Sequence, residues 1–276
     1  MNQDTLKTVE DAFKKARKPS DFMRVWLDFP LLEGENKKTF DCYYHSFLRN
    51  FDQRMAYLYD DQLSHITQLA KNRQILEIGS GCGTESLWLA MNGASVHGVD
   101  IAPQKVQTSL ARKSILEQCL NKNLACAFEN LSFFEMKKEQ YDLIWMEQAF
   151  HHIEPREEFF KEIPRFLKPG GYLVFSESNA WNPLIQAGLF KMRGFKMVIK
   201  AKINNEEVLI GNERIIFPFI LKNKLQSSGF DVTKIYYFRM FPNKSFFNKL
   251  LFIEKKMPKI LKPFFSHYTL IAKKNT

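Results

Sequence analysis

Gln74-Ile75-Leu76-Glu77-Ile78-Gly79-Ser80-Gly81-Cys82-Gly83-Thr84 is the stretch that decides the fold. Three glycines at alternate positions follow a short apolar run, and Thr84 to Ala90 then carries apolar groups at helical spacing. The pattern predicts a strand, a glycine-rich turn and a helix. Glycine lacks a Cβ, accepts positive φ and lets another molecule approach the backbone. A helix starting there aims unpaired N–H groups and the positive end of its dipole at that molecule.

Glycines alone do not choose a ligand, because many nucleotide-like cofactors sit on such a turn. The dinucleotide fingerprint G-x-G-x-x-G places its third glycine one position later than Gly83, and Thr84 stands there instead. An acid, Glu77, precedes the first glycine by two residues, and the next apolar run, Ala94 to Val99, ends in Asp100. A carboxylate at the tip of a second strand accepts from both hydroxyls of a ribose. Glu77-x-Gly79-x-Gly81-x-Gly83 with a strand-ending Asp100 resembles the class I S-adenosylmethionine-dependent methyltransferases. Tyr141 to Glu147 then reads as a fourth strand, Gln148 to Ile153 follows it, and Arg156 to Leu167 is helical in pattern. Lys168-Pro169-Gly170-Gly171 stops that helix, since Pro cannot continue it and Gly accepts the left-handed cap. The run from Tyr172 leads to Ser176 and Glu177. Taken together, residues 72 to 178 are similar to the broad methyltransferase group that includes quinone-biosynthesis enzymes.

The resemblance implies an α/β fold: a Rossmann-like, doubly wound, seven-stranded sheet whose last strand is antiparallel. Strands near 74–78, 95–99, 124–128, 141–147 and 172–176 alternate with helices, which predicts a parallel sheet covered on both faces. Ligands of such sheets bind outside the carboxyl ends of the strands. The implied cofactor is S-adenosylmethionine. By resemblance, Glu77 fixes the turn and the methionine amino group, while Gly79, Ser80, Gly81 and Gly83 form the turn against the methionine part. Asp100 holds the ribose and Ile101 flanks the adenine. Glu129 and Asn130 compete to face the adenine amine, and Glu147 lines the pocket.

Three regions are expected: a helical cap or lid over 1–70, the cofactor-binding core over 71–178, and 179–276. The last holds an insertion after the fifth strand, a closing hairpin and a basic amphipathic segment. The polar run Glu33 to Lys38 reads as a break between helices, and Tyr43, Phe47 and Phe51 stand at i, i+4 and i+8 on one predicted helical face. That face either packs on the core or covers the cofactor. Lys191 to Lys202 is basic and apolar by turns; a helix ending at Gly229, a strand from Phe230 and a last strand over 267–273 follow.

The net charge of +10 is unevenly distributed. Residues 191–276 hold 18 Lys and Arg against 5 Asp and Glu, so the positive excess lies in the last third. That asymmetry points to an anionic partner. Residues 246–265 interleave Phe and Leu with Lys, which leaves three readings: a solvated helix packing its Phe residues on the core, a membrane-surface segment, or a single-strand nucleic-acid contact. No apolar run is long enough to span a bilayer, and the start lacks a signal-peptide profile. Cys42, Cys82, Cys119 and Cys126 show no CxxC pair and no metal spacing, so free thiols and no metal are expected. These features predict a cytoplasmic protein with room for peripheral membrane contact; they do not address the oligomeric state.

Methyl transfer from a sulfonium needs alignment and exclusion of water more than activation of the donor. An oxygen nucleophile also needs a base with a pKa near neutral. His151 and His152 follow the fourth strand, and by resemblance His152 matches the commonly found His while His151 falls at a variable position. Either serves as the base, or either packs the following turn. The fourth strand runs into Met146-Glu147-Gln148-Ala149-Phe150. It has neither the Asn/Asp-Pro-Pro-Tyr/Phe tetrad of amino-methylating enzymes nor the Pro-Cys of base-carbon methylases. The expectation is an enzyme that methylates a small-molecule or lipid-linked acceptor, most naturally at oxygen. The alternative is an RNA-binding or RNA-modifying protein that uses the basic last third.

Overall fold

The structure is a computed structural model that describes residues 3–137, 139–203, 206–257 and 259–276. Its strands are β1 (Gln74–Ile78), β2 (Ser95–Asp100), β3 (Cys126–Asn130), β4 (Tyr141–Glu147), β5 (Leu167–Ser178), β6 (Val198–Ile203), β7 (Glu206–Gly211), β8 (Phe230–Phe238) and β9 (His267–Lys274). Seven of them form one sheet in the order β3-β2-β1-β4-β5-β9-β8, while β6 and β7 pair separately. β1–β2, β2–β3 and β4–β5 are parallel, and β9 runs antiparallel to both β5 and β8. This is the expected Rossmann-like sheet with an antiparallel last strand.

Two compact units divide the chain: Met1–Ser132 with Asn243–Asn248, and Phe133–Pro242 with Lys249–Thr276. In the first, β1 is buried from Ile75 to Ile78, as a central parallel strand requires. The helix Gln53–Ala70 begins where the Asp52 carboxylate accepts the N–H of Met55 at 3.0 Å. Its buried residues Met55, Leu58, Tyr59, Gln62, Leu63 and Ile66 recur at three- and four-residue intervals, the signature of a one-faced helix. The helix Pro103–Leu120 stops at Asn121, which takes the left-handed conformation.

Four expectations change. The run Glu33 to Lys38 is no break, because a helix spans Gly34–Tyr43. Tyr43, Phe47 and Phe51 do not share one helix: the chain breaks at Tyr44, resumes as His45–Arg49, and Phe51 lies beyond it. The aromatic rings themselves hold this break, since Tyr44 packs on Phe40, Tyr43 and Phe47. The third strand is Cys126–Asn130, not 124–128. Lastly, Lys168 to Gly171 is an irregularity inside β5, not a turn ahead of it. The register with β4 shifts there, Gly170 has φ 71°, and a Cβ on Gly171 would press on the carbonyls of Lys168 and Asp142.

In the second unit, Asn182 caps the helix Pro183–Arg193 by accepting the N–H groups of Leu184 and Ile185. The insertion continues as the β6–β7 hairpin. Among the described residues no helix is long and apolar enough to cross a membrane.

Candidate active site

The glycine turn connects β1 to the helix Thr84–Met91. Gly79, Gly81 and Gly83 all have positive φ, which the alternate spacing of glycines anticipates. The N–H groups of Gly79 and Ser80 donate to the carbonyl of Val99, which ties the turn to β2. Glu77, 1% exposed on β1, accepts from the Ser86 hydroxyl and so fastens the strand to the helix that follows. Ser80 is buried with its Cβ against Gly98, so its place in the turn is a backbone one.

Asp100 ends β2. Its Oδ2 accepts the N–H of Gly81 at 2.9 Å and its Oδ1 the N–H of Ala102 at 2.8 Å. Each carboxylate oxygen keeps a second lone pair, the pair of acceptors that the two hydroxyls of a vicinal diol require. Ile101, next in the chain, is exposed and offers an apolar surface beside the carboxylate. Asn130 stands opposite Asp100 in the β2–β3 register and donates to its backbone carbonyl at 2.9 Å; Glu129 approaches His97.

Sequence reasoning missed what secures the turn from behind. Arg112, fully buried on the helix Pro103–Leu120, donates to the Cys82 carbonyl and to the Thr84 hydroxyl, each at 2.6 Å. Its guanidinium lies 4.3 Å from the Trp26 ring centroid and 5.0 Å from that of Phe40. The Tyr44 hydroxyl shares Thr84 at 2.5 Å, and burial raises its pKa well above the usual tyrosine value. Cys82 is equally inert: burial pushes its thiol up to about 11.

In the second unit, β4 delivers Glu147 and then Gln148, which has φ 48° and donates its N–H to the Ser176 carbonyl on β5. The chain turns through Phe150–His152. Glu177, 1% exposed on β5, accepts the Phe150 N–H and meets His151 Nδ1, both at 2.7 Å. A carboxylate can only accept, so His151 carries its proton on Nδ1 and presents Nε2. His152 Nδ1 donates to the Gly211 carbonyl at 3.0 Å, which fixes the same tautomer. Burial alone would lower the pKa of His151, but Glu177 and then Glu213 outweigh it and the net direction is up. His152 moves down, through burial and the proximity of the His151 ring. Sequence reasoning placed Glu177 at the end of the fifth strand without a role and passed over Glu213, because each reaches the His pair from a distant part of the chain.

Residues 76–173 match the sequence family described as a methyltransferase domain. Over 109 residues the chain is 29% identical to the ubiquinone biosynthesis O-methyltransferase of Coxiella burnetii, covering 40% of this chain and 45% of that protein. It is 30% identical over 122 residues to the 2-methyl-6-phytyl-1,4-hydroquinone methyltransferase of Synechocystis, covering 43% and 36%. The matched span is thus less than half the length of either relative. Magnesium protoporphyrin IX methyltransferase from Synechocystis, solved with bound SAH, shares the fold with a TM-score of 0.56 at 14% identity, over 87% of this chain and 95% of that one. Residues 76–173 thus form a methyltransferase domain of the class I S-adenosylmethionine-dependent kind, and the cofactor is S-adenosylmethionine. The diol-accepting Asp100 and the left-handed glycine turn fit that group.

Proposed function

We propose that this protein transfers a methyl group to a hydroxyl oxygen of a small aromatic acceptor that carries a lipid tail. When bound, the cofactor supplies the methyl group already activated on a sulfonium. Asp100 holds the ribose hydroxyls, Ile101 flanks the adenine, Glu129 or Asn130 faces its amine, and Gly79 to Gly83 with Glu77 hold the methionine part. Glu147, at the end of β4, takes the lining role that the resemblance implies for it. Residues 1–70 act as the lid; Tyr43, which overlies Gly81, supports that role.

One observation carries the choice of oxygen: the buried pair of His151 and Glu177 at 2.7 Å. A carboxylate on Nδ1 leaves Nε2 oriented as a proton acceptor, as a hydroxyl nucleophile needs. His152, more exposed and held by a backbone carbonyl, has the weaker claim to that role. The acceptor class draws on the printed names of the two relatives and on exposed apolar and basic side chains in 184–197 and 246–264. Peripheral contact with an anionic membrane would bring such an acceptor within reach.

The test is methyl transfer from labelled cofactor to prenylated catechols and hydroquinones in detergent or vesicles, with total RNA as a parallel acceptor. Label in the phenolic ether is expected, and Glu177→Gln should lower kcat by about 10²-fold or more, the usual weight of general-base catalysis. Label in RNA, or phenol methylation indifferent to Glu177→Gln, contradicts the reading.

A further inference from the structure

We propose that His151, His152 and Glu213 form a binding site for one divalent first-row transition ion of the zinc class. One ligand atom from each of the three lies within 4.8 Å of the others. Both rings are locked with the proton on Nδ1, by Glu177 and by the Gly211 carbonyl, so both present Nε2. Glu213 faces those same atoms: Oε2 is 3.6 Å from His151 Nε2, and Oε1 is 3.9 Å from His152 Nε2. Bonds of about 2.0 Å in a tetrahedron put ligand atoms about 3.3 Å apart, so ligand atoms that lie within 4.8 Å of one another must draw together by up to about 1.5 Å around the ion.

The surroundings match a metal site more closely than a chance ion pair. Metal-bound imidazoles characteristically donate their second N–H to a carboxylate or a backbone carbonyl, and here one ring does each. The loop bearing Glu213 is clamped to the His segment. The Arg214 N–H donates to the His151 carbonyl at 3.2 Å, Ile153 bridges Ile210, and a Cβ on Gly211 would collide with the His151 carbonyl. Glu213 itself has φ 51°, a conformation unfavourable for a residue with a Cβ, held where its carboxylate meets both rings. Two imidazoles and one carboxylate suit zinc or iron(II), and the partly exposed His152 and Glu213 leave a coordination position open to water or to an acceptor oxygen. None of this is visible in the spacing of the cysteines, which gave no metal expectation.

The inference concerns the acceptor site of the proposed function but gives the acceptor oxygen a different activator from the His151 base, and it stands on its own measurement. At His151 Nε2, binding an ion and accepting a proton exclude one another. With the ion in place, the open position would receive the acceptor oxygen and lower its pKa, the proton leaving to solvent.

The experiment uses the full chain stripped with EDTA and titrated with cobalt(II) by visible absorption, then with zinc against a chromogenic chelator. One ion per chain is expected, with cobalt bands of a nitrogen and oxygen site and no thiolate charge transfer. Glu213→Gln, a change at a partly exposed side chain, should weaken zinc binding at least 10-fold. Glu177→Gln should weaken it about 10- to 100-fold through loss of ring orientation. Cys42→Ser should leave affinity unchanged. Thermal unfolding and S-adenosylhomocysteine binding report whether each variant is folded. A folded wild type that binds no ion, or an affinity indifferent to Glu213→Gln, overturns the proposal while leaving the transferase reading intact. Metal binding without any methyl transfer does the reverse.

Discussion

The phenol of Tyr43 occupies the place where a side chain on Gly81 would begin. Gly81 meanwhile has φ 54° and donates its N–H to Asp100. Steric room and backbone conformation therefore both exclude a Cβ. Gly81→Ala should cost about 1–2 kcal/mol in the left-handed conformation, and displacing Tyr43 adds to it. Calorimetric titration should show S-adenosylhomocysteine binding weakened at least 10-fold, with a lower Tm. A variant that binds like the wild type would mean the turn does not carry the cofactor.

Arg112 joins three elements with one buried charge. Its guanidinium bonds the glycine turn at Cys82 and Thr84 and stacks on Trp26. Arg112→Ala removes those bonds and leaves buried acceptors unpaired, at about 1–3 kcal/mol each. Urea unfolding should show a loss of roughly 3 kcal/mol. Cofactor binding should fall with it, because the turn loses its support. A loss below about 1 kcal/mol would remove Arg112 from this role.

Glu85 joins the helix after the glycine turn to the helix Gln53–Ala70 in a way that pH should expose. Burial raises its pKa, although the Tyr59 hydroxyl donates to it at 2.8 Å. A carboxyl with a raised native pKa holds its proton to higher pH in the folded protein than in the unfolded chain. Its contribution is therefore most favourable below the ordinary glutamate range and is lost as pH rises through the native pKa. Glu85→Gln should raise Tm at neutral pH, with the gain shrinking to nothing in acid. A gain that is constant with pH, or largest in acid, would reverse the sign argued here.

Much of the fold was legible because local chemistry agrees with tertiary structure there. The alternate glycines at 79, 81 and 83 demand positive φ, and β1, β4 and the last strands are apolar runs with clear stops. The break at Tyr44 was not legible: Tyr43, Phe47 and Phe51 keep helical spacing, and only ring packing around Tyr44 shows that the helix is interrupted. Arg112 carries no signal in the sequence; only the fold closes Trp26 and Thr84 around it. The hairpin β6–β7 had a signal that was passed over, since Asn204-Asn205 separates two runs rich in Val and Ile. The partners of the His pair, Glu177 and Glu213, lie 26 and 62 positions beyond His151 in the sequence, a separation at which no periodicity speaks.

The basic last third displays its apolar groups more than packing on the core would allow. Leu184 is 81% and Phe195 is 86% exposed, beside Lys191, Arg193 and Lys196; Phe246, Phe252 and Phe264 are exposed too, while Phe265 alone of the Phe residues in 246–265 is buried. Such side chains suit an interface with anionic lipid, where each cation adds about 1 kcal/mol. Sedimentation with vesicles should show binding that requires anionic lipid and weakens in salt, and Phe190→Ser with Phe195→Ser should reduce it about 10-fold or more. Equal binding to neutral vesicles, or retention on RNA alone, would count against a lipid surface.

The most direct measurement is calorimetric titration with S-adenosylhomocysteine of the wild type and of Asp100→Ala. Asp100 both holds the turn through Gly81 and offers the diol acceptor, so micromolar binding by the wild type should fall by about 10²-fold in the variant, as loss of charged hydrogen bonds of ~1.5–3 kcal/mol implies. Wild-type binding that the folded variant retains in full would contradict the placing of the cofactor at the end of β2.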